Sequence, residues 1–437
     1  MLDQYLTLLQ SSYTSSNSIQ LSQLLNPFPS STRFNQLRQS LLSIPKLRTS
    51  TFKDLLSTRF GQPQQRPFLE FVANYLVYVR DTPIPCHTVQ DLDKTYRLLE
   101  DLYKTGDRLF ATSENGYFVP TLRLLTTQLI KTSLLMGKQS GDVKLTRAGE
   151  AARLLSRPIG IACSDRSTDP LPGIPAKRSA LYHLANSTFL VYFSLKNLRL
   201  CDTILSNVSN SGILVDGEEF GKGDKCGYWY YRGRIHLYQR RLRLAKNDLG
   251  KSFGVCWNRA KGNARLILIY WITASVLVGY FPRMELLDYF GLRDQFGEGL
   301  LLPLKKGNWR GVLAHLDRYK EWHLKHGNYL VLREKLELIC WRNLFRQTLL
   351  INTNSHPLPT TGGPPTLSLS LVVSAARIAW PQEEDGGQES LDLDDLESIA
   401  VSLMDQGYVK AYIMHSKRIL VLQKGENFGF PPLSSVG

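Results

Sequence analysis

The sequence predicts a mostly α-helical protein, a tetratricopeptide-like helical repeat array that ends in a C-terminal winged helix. Three observations lead to this prediction. From residue 66 to residue 208, apolar residues recur every three or four positions, which is the period of amphipathic helices. Residues 229–252 place aromatic, small and bulky side chains at the spacing of a tetratricopeptide-like helix pair. Near the C-terminus the apolar period changes to the alternation that is typical of a β-hairpin.

The N-terminal half divides into two predicted regions. Residues 1–60 are rich in Ser, Thr and Gln and contain several prolines, so we expect short helices joined by mobile loops. Residues 61–227 are predicted to form N-terminal helical repeats. The segment "RPFLEFVANYLVYVRD" opens this region, with Pro67 in a first helical turn and with Phe68 and Phe71 at the start of an apolar face.

Residues 228–355 are predicted to form further helical repeats with a long final helix. In the first pair, Gly233 and Ala245 are small, which allows two antiparallel helices to approach each other closely. Helix pairs are also predicted at 178–208 and 264–291, and together they favour a stacked, right-handed array. The segment "GNYLVLREKLELICWRNLFRQTLLIN" has the length and the period of one continuous helix.

Residues 356–437 are predicted to form the winged helix. The proline-rich segment "HPLPTTGGPPT" ends the long helix, and "LSLSLVVSAARIAW" and "LDLDDLESIAVSLMDQ" then have a helical period. Apolar residues alternate at 409–413 and again at 419–421, with a polar turn at 415–417 between them. This pattern predicts a β-hairpin, and helices followed by a hairpin are typical of a winged helix.

Composition and charge restrict the function classes. The formal net charge is +15 and the isoelectric point is near 9.5, which favours nucleic acid, acidic protein or an anionic membrane surface as a partner. The longest apolar run, at 266–281, is shorter than the roughly 20 residues that a membrane-spanning helix needs. Scattered cysteines without a CxxC motif, and an acid at Asp3 where a signal peptide would be basic, predict the cytosol or the nucleus.

Catalytic and metal-binding motifs are absent from the sequence, and we predict neither an enzyme nor a bound cofactor. No GxSxG, Walker, HExxH or Cys–His signature occurs. Glu321, His323 and His326 form an HxxH-like group that could bind a metal, but no further ligands follow at a suitable spacing. Gly221-Lys222-Gly223 is not preceded by a strand pattern, so a phosphate-binding loop is not expected there.

An ordered series of motifs from about residue 178 to the end of the sequence resembles the PCI domain family. Within that family the chain is similar to the PCI subunit of the second transcription-and-export (TREX) complex of nuclear mRNA export, and to its close signalosome-associated paralogue. The matching segments are "LKNLRLCDTIL" (195–205), "NARLILIYWI" (263–272), "GYFPRMELLDYFGL" (279–292), "EKLELICWRNLFRQTLL" (334–350), "GYVKAYIMHSKRILVLQK" (407–424) and the tail "NFGFPPLSSVG".

The resemblance implies a non-catalytic scaffold subunit of the nucleus and the nuclear pore, with some of the protein in the cytoplasm. It implies pairing with a GANP-like PCI scaffold protein, winged helix beside winged helix. It also implies that the chain binds a small, acidic, disordered peptide shared with the proteasome lid. A basic surface would contact the backbone of RNA or DNA, and no membrane partner is expected. The alternative is a purely structural PCI subunit, as in the signalosome or the proteasome lid, without nucleic-acid contact.

A block of basic residues at 230–265 is the candidate surface for the acidic peptide. It contains ten basic residues and a single acid, Asp248, whereas an ordinary solvated helix would balance its charge with glutamates. A solvated helical face is the alternative interpretation. Arg234, Tyr238 and Arg241 have the spacing of one helical stripe. The predicted contact residues are Arg234, Tyr238, Arg240, Arg241 and Arg243.

A second set of basic residues is the candidate nucleic-acid surface. Four lie on the predicted hairpin and three form a stripe on the long helix: Lys410, Lys417, Arg418, Lys424, Lys335, Arg342 and Arg346. Residues 383–397 contain eight acids and no base, so we expect phosphates to repel this segment and a protein to contact it. Lysines and arginines without an Asn/Gln cluster predict backbone contacts that depend little on base sequence.

Overall fold

The protein is mostly helical and divides into two compact units, Met1–Tyr231 and Arg232–Gly437. The computed structural model describes residues 2–43, 49–60, 66–86, 88–113, 116–142, 144–167, 174–355, 363–380, 391–425 and 427–436. No helix within these ranges has both the length and the apolar character needed to cross a membrane.

The first unit is built from consecutive helices with short connections. Its helices are α1 (Leu2–Thr14), α2 (Ser18–Leu24), α3 (Thr32–Leu42), α4 (Thr49–Phe60), α5 (Arg66–Asp81), α6 (Val89–Thr112), α7 (Val119–Ser140), α8 (Thr146–Leu154), α9 (Ser156–Ser164), α10 (Leu181–Ser194) and α11 (Arg199–Asn210). Helix α12 (Lys222–Tyr238) begins in this unit and ends in the second.

Two tyrosines attach the Ser-rich N-terminal segment to α5. The hydroxyl of Tyr75 donates to the carbonyl of Asn26 at 2.8 Å, and that of Tyr78 donates to the carbonyl of Pro27, also at 2.8 Å. Burial raises the pKa of both phenols, so they remain neutral donors. Composition predicts short helices joined by mobile loops for 1–60, and the described part of this segment is largely helical and buries apolar residues such as Leu6.

The second unit continues the helical pattern and contains the predicted long helix. Its helices after α12 are α13 (Leu242–Val255), α14 (Lys261–Leu277), α15 (Met284–Phe290), α16 (Arg293–Phe296), α17 (Glu298–Lys306), α18 (Trp309–Arg318), α19 (Lys320–His326) and α20 (Tyr329–Ser355). The apolar run that is too short for a membrane forms most of α14, which buries Leu268, Ile269 and Ile272 in the core of this unit.

Close contact between α12 and α13 depends on a glycine, as the spacing predicts. A Cβ atom at Gly233 would lie 2.7 Å from Cγ of Leu249, so a larger side chain would push the two helices apart. Ala245 is fully buried in the second unit. The helices are connected by a tight turn in which Arg240 has a φ of 63°, in the left-handed region that non-glycine residues seldom adopt.

A three-stranded antiparallel sheet and two helices form the C-terminal part. The elements follow the order β1 (Thr366–Ser368), α21 (Leu369–Ala379), α22 (Leu393–Asp405), β2 (Ala411–Met414) and β3 (Ile419–Leu422). Strand β3 lies between β1 and β2, so β2 is an edge strand. The pairing of Ala411 with Leu422 and of Met414 with Ile419 confirms the hairpin that the alternation predicts.

Candidate basic interaction surfaces

The turn between α12 and α13 gathers part of the predicted acidic-peptide surface into a groove. The groove has a volume of about 350 Å³. Its lining consists of Arg240, Arg241, Leu242, Arg243, Leu244, Leu277, Val278, Lys335, Gln406, Tyr408, Leu433 and Val436. Three arginines and one lysine therefore surround an apolar floor, and we call this site the arginine groove. All of its residues belong to the second unit.

The arginine groove contains Lys335, which the sequence assigns to the nucleic-acid stripe. Lys335 lies 3.8 Å from Glu334, and Arg240 donates to the same carboxylate. Arg241 and Arg243 are exposed. The structure thus places Lys335 beside the predicted peptide-binding arginines, an association that sequence spacing does not reveal because α20 is distant from α13 in the chain.

Arg234 and Tyr238 pack against the interior of the second unit. The guanidinium of Arg234 lies 4.2 Å from the ring centre of Tyr270 and donates to the Tyr238 hydroxyl at 3.3 Å. A Cβ atom at Gly327 would lie 2.8 Å from that hydroxyl, so Tyr238 fits closely over the glycine. Helix α12 ends at Tyr238, and Arg241 caps the next helix. The predicted stripe of Arg234, Tyr238 and Arg241 is therefore not one helical face.

The lone acid of the basic block pairs with two basic neighbours. Arg232 donates to the two carboxylate oxygens of Asp248 at 2.8 and 2.6 Å, and Nδ1 of His236 lies 3.1 Å from the same group. Burial acts to raise the pKa of Asp248, but the hydrogen bonds from His236 and Arg232 outweigh it and lower the pKa. The excess positive charge of the block therefore resides in its other residues.

The hairpin presents lysines, but its arginine is paired with α22. Lys410, Lys417 and Lys424 are exposed. Arg418 donates to Asp394 and, at 3.1 Å, to Glu397. The hydrogen bond to Asp394 is the main reason that the pKa of Arg418 is raised.

A histidine of the hairpin turn contacts the same acidic helix. Nδ1 of His415 lies 2.8 Å from Oε2 of Glu397. This bond, together with those from Arg418, holds the pKa of Glu397 below its ordinary value. We call Asp394, Glu397, His415 and Arg418 the hairpin clasp. The acids at 383–390 lie outside the described residues.

On the long helix, Arg342 is buried. Only 7% of its surface is exposed, and it donates to the carbonyl of Pro431 at 2.7 Å and to Oδ1 of Asn343 at 2.8 Å. Burial lowers the pKa of Arg342 to about 10. Arg346 is half-buried. A phosphate cannot reach Arg342 without displacing the C-terminal residues, so this placement argues against the predicted direct contact.

The predicted nucleic-acid residues do not include an exposed tyrosine that lies beside the hairpin lysines. A groove of about 660 Å³ is lined by Pro364, Met404, Val409, Lys410, Ala411, Tyr412, Val421, Leu422, Gln423 and Lys424. Tyr412 lies on the edge strand β2 and is 59% exposed. The signal was available in the sequence, because an aromatic residue occurs between two lysines on a strand that the alternation predicts.

The histidines of the HxxH-like group take part in hydrogen bonds of the fold. Nδ1 of the fully buried His323 lies 3.0 Å from Oδ1 of Asn328, whose amide donates to Thr273 at 3.0 Å. Nδ1 of His326 lies 2.7 Å from the carbonyl of Trp322. Across the described ranges, no three His, Cys, Asp or Glu side chains form a group that could hold a metal ion.

The helical fold and its basic surfaces indicate an interaction protein, and comparison with known proteins shows its family. A PCI domain-containing protein of Schizosaccharomyces pombe is 30% identical over 448 residues, covering 100% of this chain and 96% of the relative. The chain belongs to the family of PCI domain-containing proteins. PCI domain-containing protein 2 of Danio rerio is 29% identical, over 60% of this chain and 59% of the relative.

A plant relative covers more of the chain than the zebrafish protein does. Enhanced ethylene response protein 5 of Arabidopsis thaliana is 27% identical, over 70% of this chain and 67% of the relative. A scan against models of known protein families found no match.

Proposed function

We propose that this chain is a non-catalytic scaffold subunit of a nuclear mRNA-export assembly of the second transcription-and-export type. In this proposal it pairs with a GANP-like PCI protein and a small acidic peptide, and the assembly presents a basic platform to RNA or DNA. It acts in the nucleus and at the nuclear pore, with some of the protein in the cytoplasm. Family membership supports the scaffold role, and the observation that carries the rest is the presence of two separate basic surfaces in one unit.

The C-terminal part acts as a winged helix in this proposal. Its order of strand, two helices and a hairpin, with the last strand in the centre of the sheet, supports that assignment. The buried faces of α21 and α22 form a core with the sheet through Val372, Leu396 and Leu420. The wing is then the β2–β3 hairpin, with exposed lysines just before β2 (Lys410), in the turn (Lys417) and just after β3 (Lys424).

The arginine groove is the proposed site for the acidic peptide. Arg241 and Arg243 supply exposed guanidinium groups that can each donate two hydrogen bonds to a carboxylate, while Arg240 at the rim is paired with Glu334. The apolar floor, which includes Leu277 and Leu433, suits a peptide that has apolar residues between its acids. Lys335 adds a fourth cation to the lining, so we move it from the nucleic-acid set to this site.

The hairpin is the proposed site for the nucleic-acid backbone. Its exposed lysines can neutralise phosphates without reading base edges, which predicts binding that depends strongly on salt and weakly on sequence. Arg418 contributes less in this proposal because the hairpin clasp already occupies its guanidinium. The buried Arg342 has no direct role here.

A purely structural role, as in signalosome or proteasome-lid assemblies, is the second candidate. The hairpin clasp favours it, because the acids of α22 neutralise one hairpin arginine and contact its histidine. The resulting hairpin is less positive than its sequence indicates.

Titration of labelled single-stranded RNA distinguishes the two candidates. The titrated samples are the chain by itself and its assembly with the second PCI protein and the acidic peptide. Under the proposal the assembly binds RNA, and the logarithm of its affinity falls with the logarithm of salt concentration at about −0.7 per phosphate contact. An assembly that forms but does not bind RNA at low salt would contradict the platform and leave the structural role.

A further inference from the structure

Two exposed aromatic residues of the second unit lie close to the start of α14, Trp257 in the α13–α14 connection and Tyr289 on α15. Trp257 is 68% exposed and Tyr289 is 66% exposed, and both are large rings that proteins usually bury at least in part. Arg259 and Lys261, which are also exposed, accompany them. We call these four residues the Trp257 patch.

Direct contacts connect the cations of the patch to its rings. The guanidinium of Arg259 lies 5.9 Å from the ring centre of Trp257, and Nζ of Lys261 lies 5.0 Å from that of Tyr289. The backbone N–H of Ala260 donates to the carbonyl of Trp257 at 2.8 Å, which closes the turn and brings Trp257 next to the start of α14.

Half-buried aromatic rings pack together beside the Tyr289 end of the patch. Phe253 contacts Trp271 and Phe290, with ring centres 5.3 and 6.1 Å apart. Arg265 donates to the carbonyl of Phe290 at 2.9 Å and so holds the end of α15 that carries Tyr289. The Tyr289 ring therefore lies against half-buried neighbours, and its centre is 4.9 Å from that of Phe290.

The acids near the patch lie on the side of Tyr289. Asp288 precedes Tyr289 and pairs with Arg293 at 2.9 Å, and Glu298 pairs with the same guanidinium at 2.6 Å. Glu285 is exposed one helical turn earlier. Within the described ranges, neither Arg259 nor Lys261 has a carboxylate at salt-bridge distance, which leaves both cations available to an anionic ligand.

We propose that the Trp257 patch binds single-stranded nucleic acid, with bases stacked on Trp257 and Tyr289 and phosphates paired with Arg259 and Lys261. Aromatic rings that alternate with cations match a ligand in which flat bases alternate with phosphates. An incoming base takes the place of each cation on its ring, and the cation moves to the adjacent phosphate.

This inference rests on the proposed nucleic-acid function and adds a distinct chemistry to it. The hairpin offers lysines for phosphates, whereas the patch requires bases. The arginine groove differs from the patch because most of its apolar lining is aliphatic, as at Leu277 and Val278, and Tyr408 is the one aromatic ring among its described lining residues. The patch should therefore distinguish a normal single strand from one without bases.

The test compares two labelled strands of about twelve nucleotides, one of deoxythymidine and one of abasic sugar-phosphate. Fluorescence anisotropy measures their affinities for the full chain at one salt concentration. We expect Trp257→Ala with Tyr289→Ala to weaken binding of the thymidine strand by at least about thirtyfold, because the loss of each stacked base lowers affinity by at least about fivefold. The abasic strand should bind the variant as it binds the wild type. Trp257→Phe with Tyr289→Phe should retain most of the thymidine affinity.

Tyr280 supplies a matched control. It is 48% exposed and carries Nζ of Lys246 at 3.6 Å from its ring centre, but it follows the other end of α14. Tyr280→Ala should therefore leave both affinities unchanged. Lys410→Ala with Lys417→Ala, on the hairpin, should weaken both strands by the same factor.

Each other outcome counts against one of the two proposals. If the Trp257 and Tyr289 variant loses affinity for both strands equally, or for neither, the proposed base stacking at the patch is wrong. The nucleic-acid function still stands in that case if the hairpin variant weakens binding. Wild-type protein that binds neither strand, by itself or in its assembly, overturns the nucleic-acid function and the patch with it. In that case the exposed rings would have to serve a protein partner.

Discussion

The arginine groove and the hairpin are both rich in basic residues in the sequence, but in the folded chain their arginines differ in exposure and in ion pairing. In the groove, Arg241 and Arg243 stay exposed above an apolar floor, and Glu334 engages only the rim through Arg240 and Lys335. On the hairpin, Arg418 is held between two acids of α22. The local density of charge in a sequence therefore does not give the charge that a partner meets.

Charge reversal in the groove should have the largest effect. Arg240, Arg241 and Arg243, each changed to Glu, should abolish co-purification of the acidic peptide, because like charges that face each other at an interface cost several kcal/mol. Lys410, Lys417 and Lys424, each changed to Glu, make the same change of charge on the hairpin and should leave peptide recovery intact. Equal loss with both triple variants would mean that the peptide responds to net charge and not to the groove.

A milder double substitution tests the groove without disturbing the ion pair between Arg240 and Glu334. Arg241→Gln with Arg243→Gln leaves that ion pair in place. We expect about tenfold weaker peptide binding, and a larger wild-type affinity at low salt than at high salt. If the double Gln variant binds the peptide as the wild type does, these arginines belong to an ordinary solvated surface and not to a binding site.

Acid should destabilise the second unit through His323, so binding experiments on the two basic surfaces should be compared above pH 6.5. Burial lowers the pKa of His323 from 6.5 to about 4. As the pH falls below 6.5 the unfolded chain takes up a proton that the folded chain does not, so stability is complete above this value and is lost down to pH 4. The loss amounts to about 3 kcal/mol.

Tryptophan fluorescence in denaturant can measure this loss, because Trp229 lies in the first unit and the other six tryptophans lie in the second. His323→Gln should flatten the dependence between pH 7 and pH 4.5, even if the variant is less stable throughout. His415→Gln changes an exposed histidine of the clasp and should keep the wild-type decline. A wild-type slope retained in His323→Gln would assign the acid sensitivity to other groups.

Arg342 should matter for stability and not for phosphate binding. Arg342→Met removes the donor to the carbonyl of Pro431 and to Oδ1 of Asn343, and we expect a free energy of unfolding lower by about 2 kcal/mol. Arg346→Met, at a half-buried position on the same helix, should cost less. If Arg342→Met instead leaves stability unchanged and reduces the salt dependence of RNA binding, Arg342 belongs to the nucleic-acid surface after all.

Release of the hairpin clasp should have the smallest effect. Glu397→Gln removes the carboxylate that contacts both His415 and Arg418 while Asp394 still pairs with Arg418, so the salt slope should steepen by less than ~0.7 on single strands. Asp405→Asn removes the same charge from the exposed end of α22. Matching slopes for the two variants would show that the clasp does not limit the hairpin.

Much of the architecture was accessible from the sequence. The helical period, the small residues of the α12–α13 pair and the alternation at 409–421 are local signals, and each predicts an element that the structure contains. The resemblance in the C-terminal half led to the PCI family, which the relatives show. Its further implications for partners, nucleic acid and location remain proposals.

The surfaces were less accessible, because contacts between distant parts of the chain determine them. Arg342 and Pro431 are far apart in sequence, and nothing near Arg342 indicates that a terminal carbonyl will bury it. The same holds for Lys335, which joins the arginines through the packing of α20. Sequence spacing also extended one stripe across Arg240, where the helix has already ended.

The sequence by itself determined the helical elements, the small residues between paired helices and the strongly basic character of the chain. These properties follow from the period of apolar residues and from the numbers of charged ones, which tertiary packing does not alter. Tertiary structure decided which cations face solvent. A guanidinium that packs beside a carbonyl or between two carboxylates loses its access to a partner, and that loss depends on residues that only folding brings together.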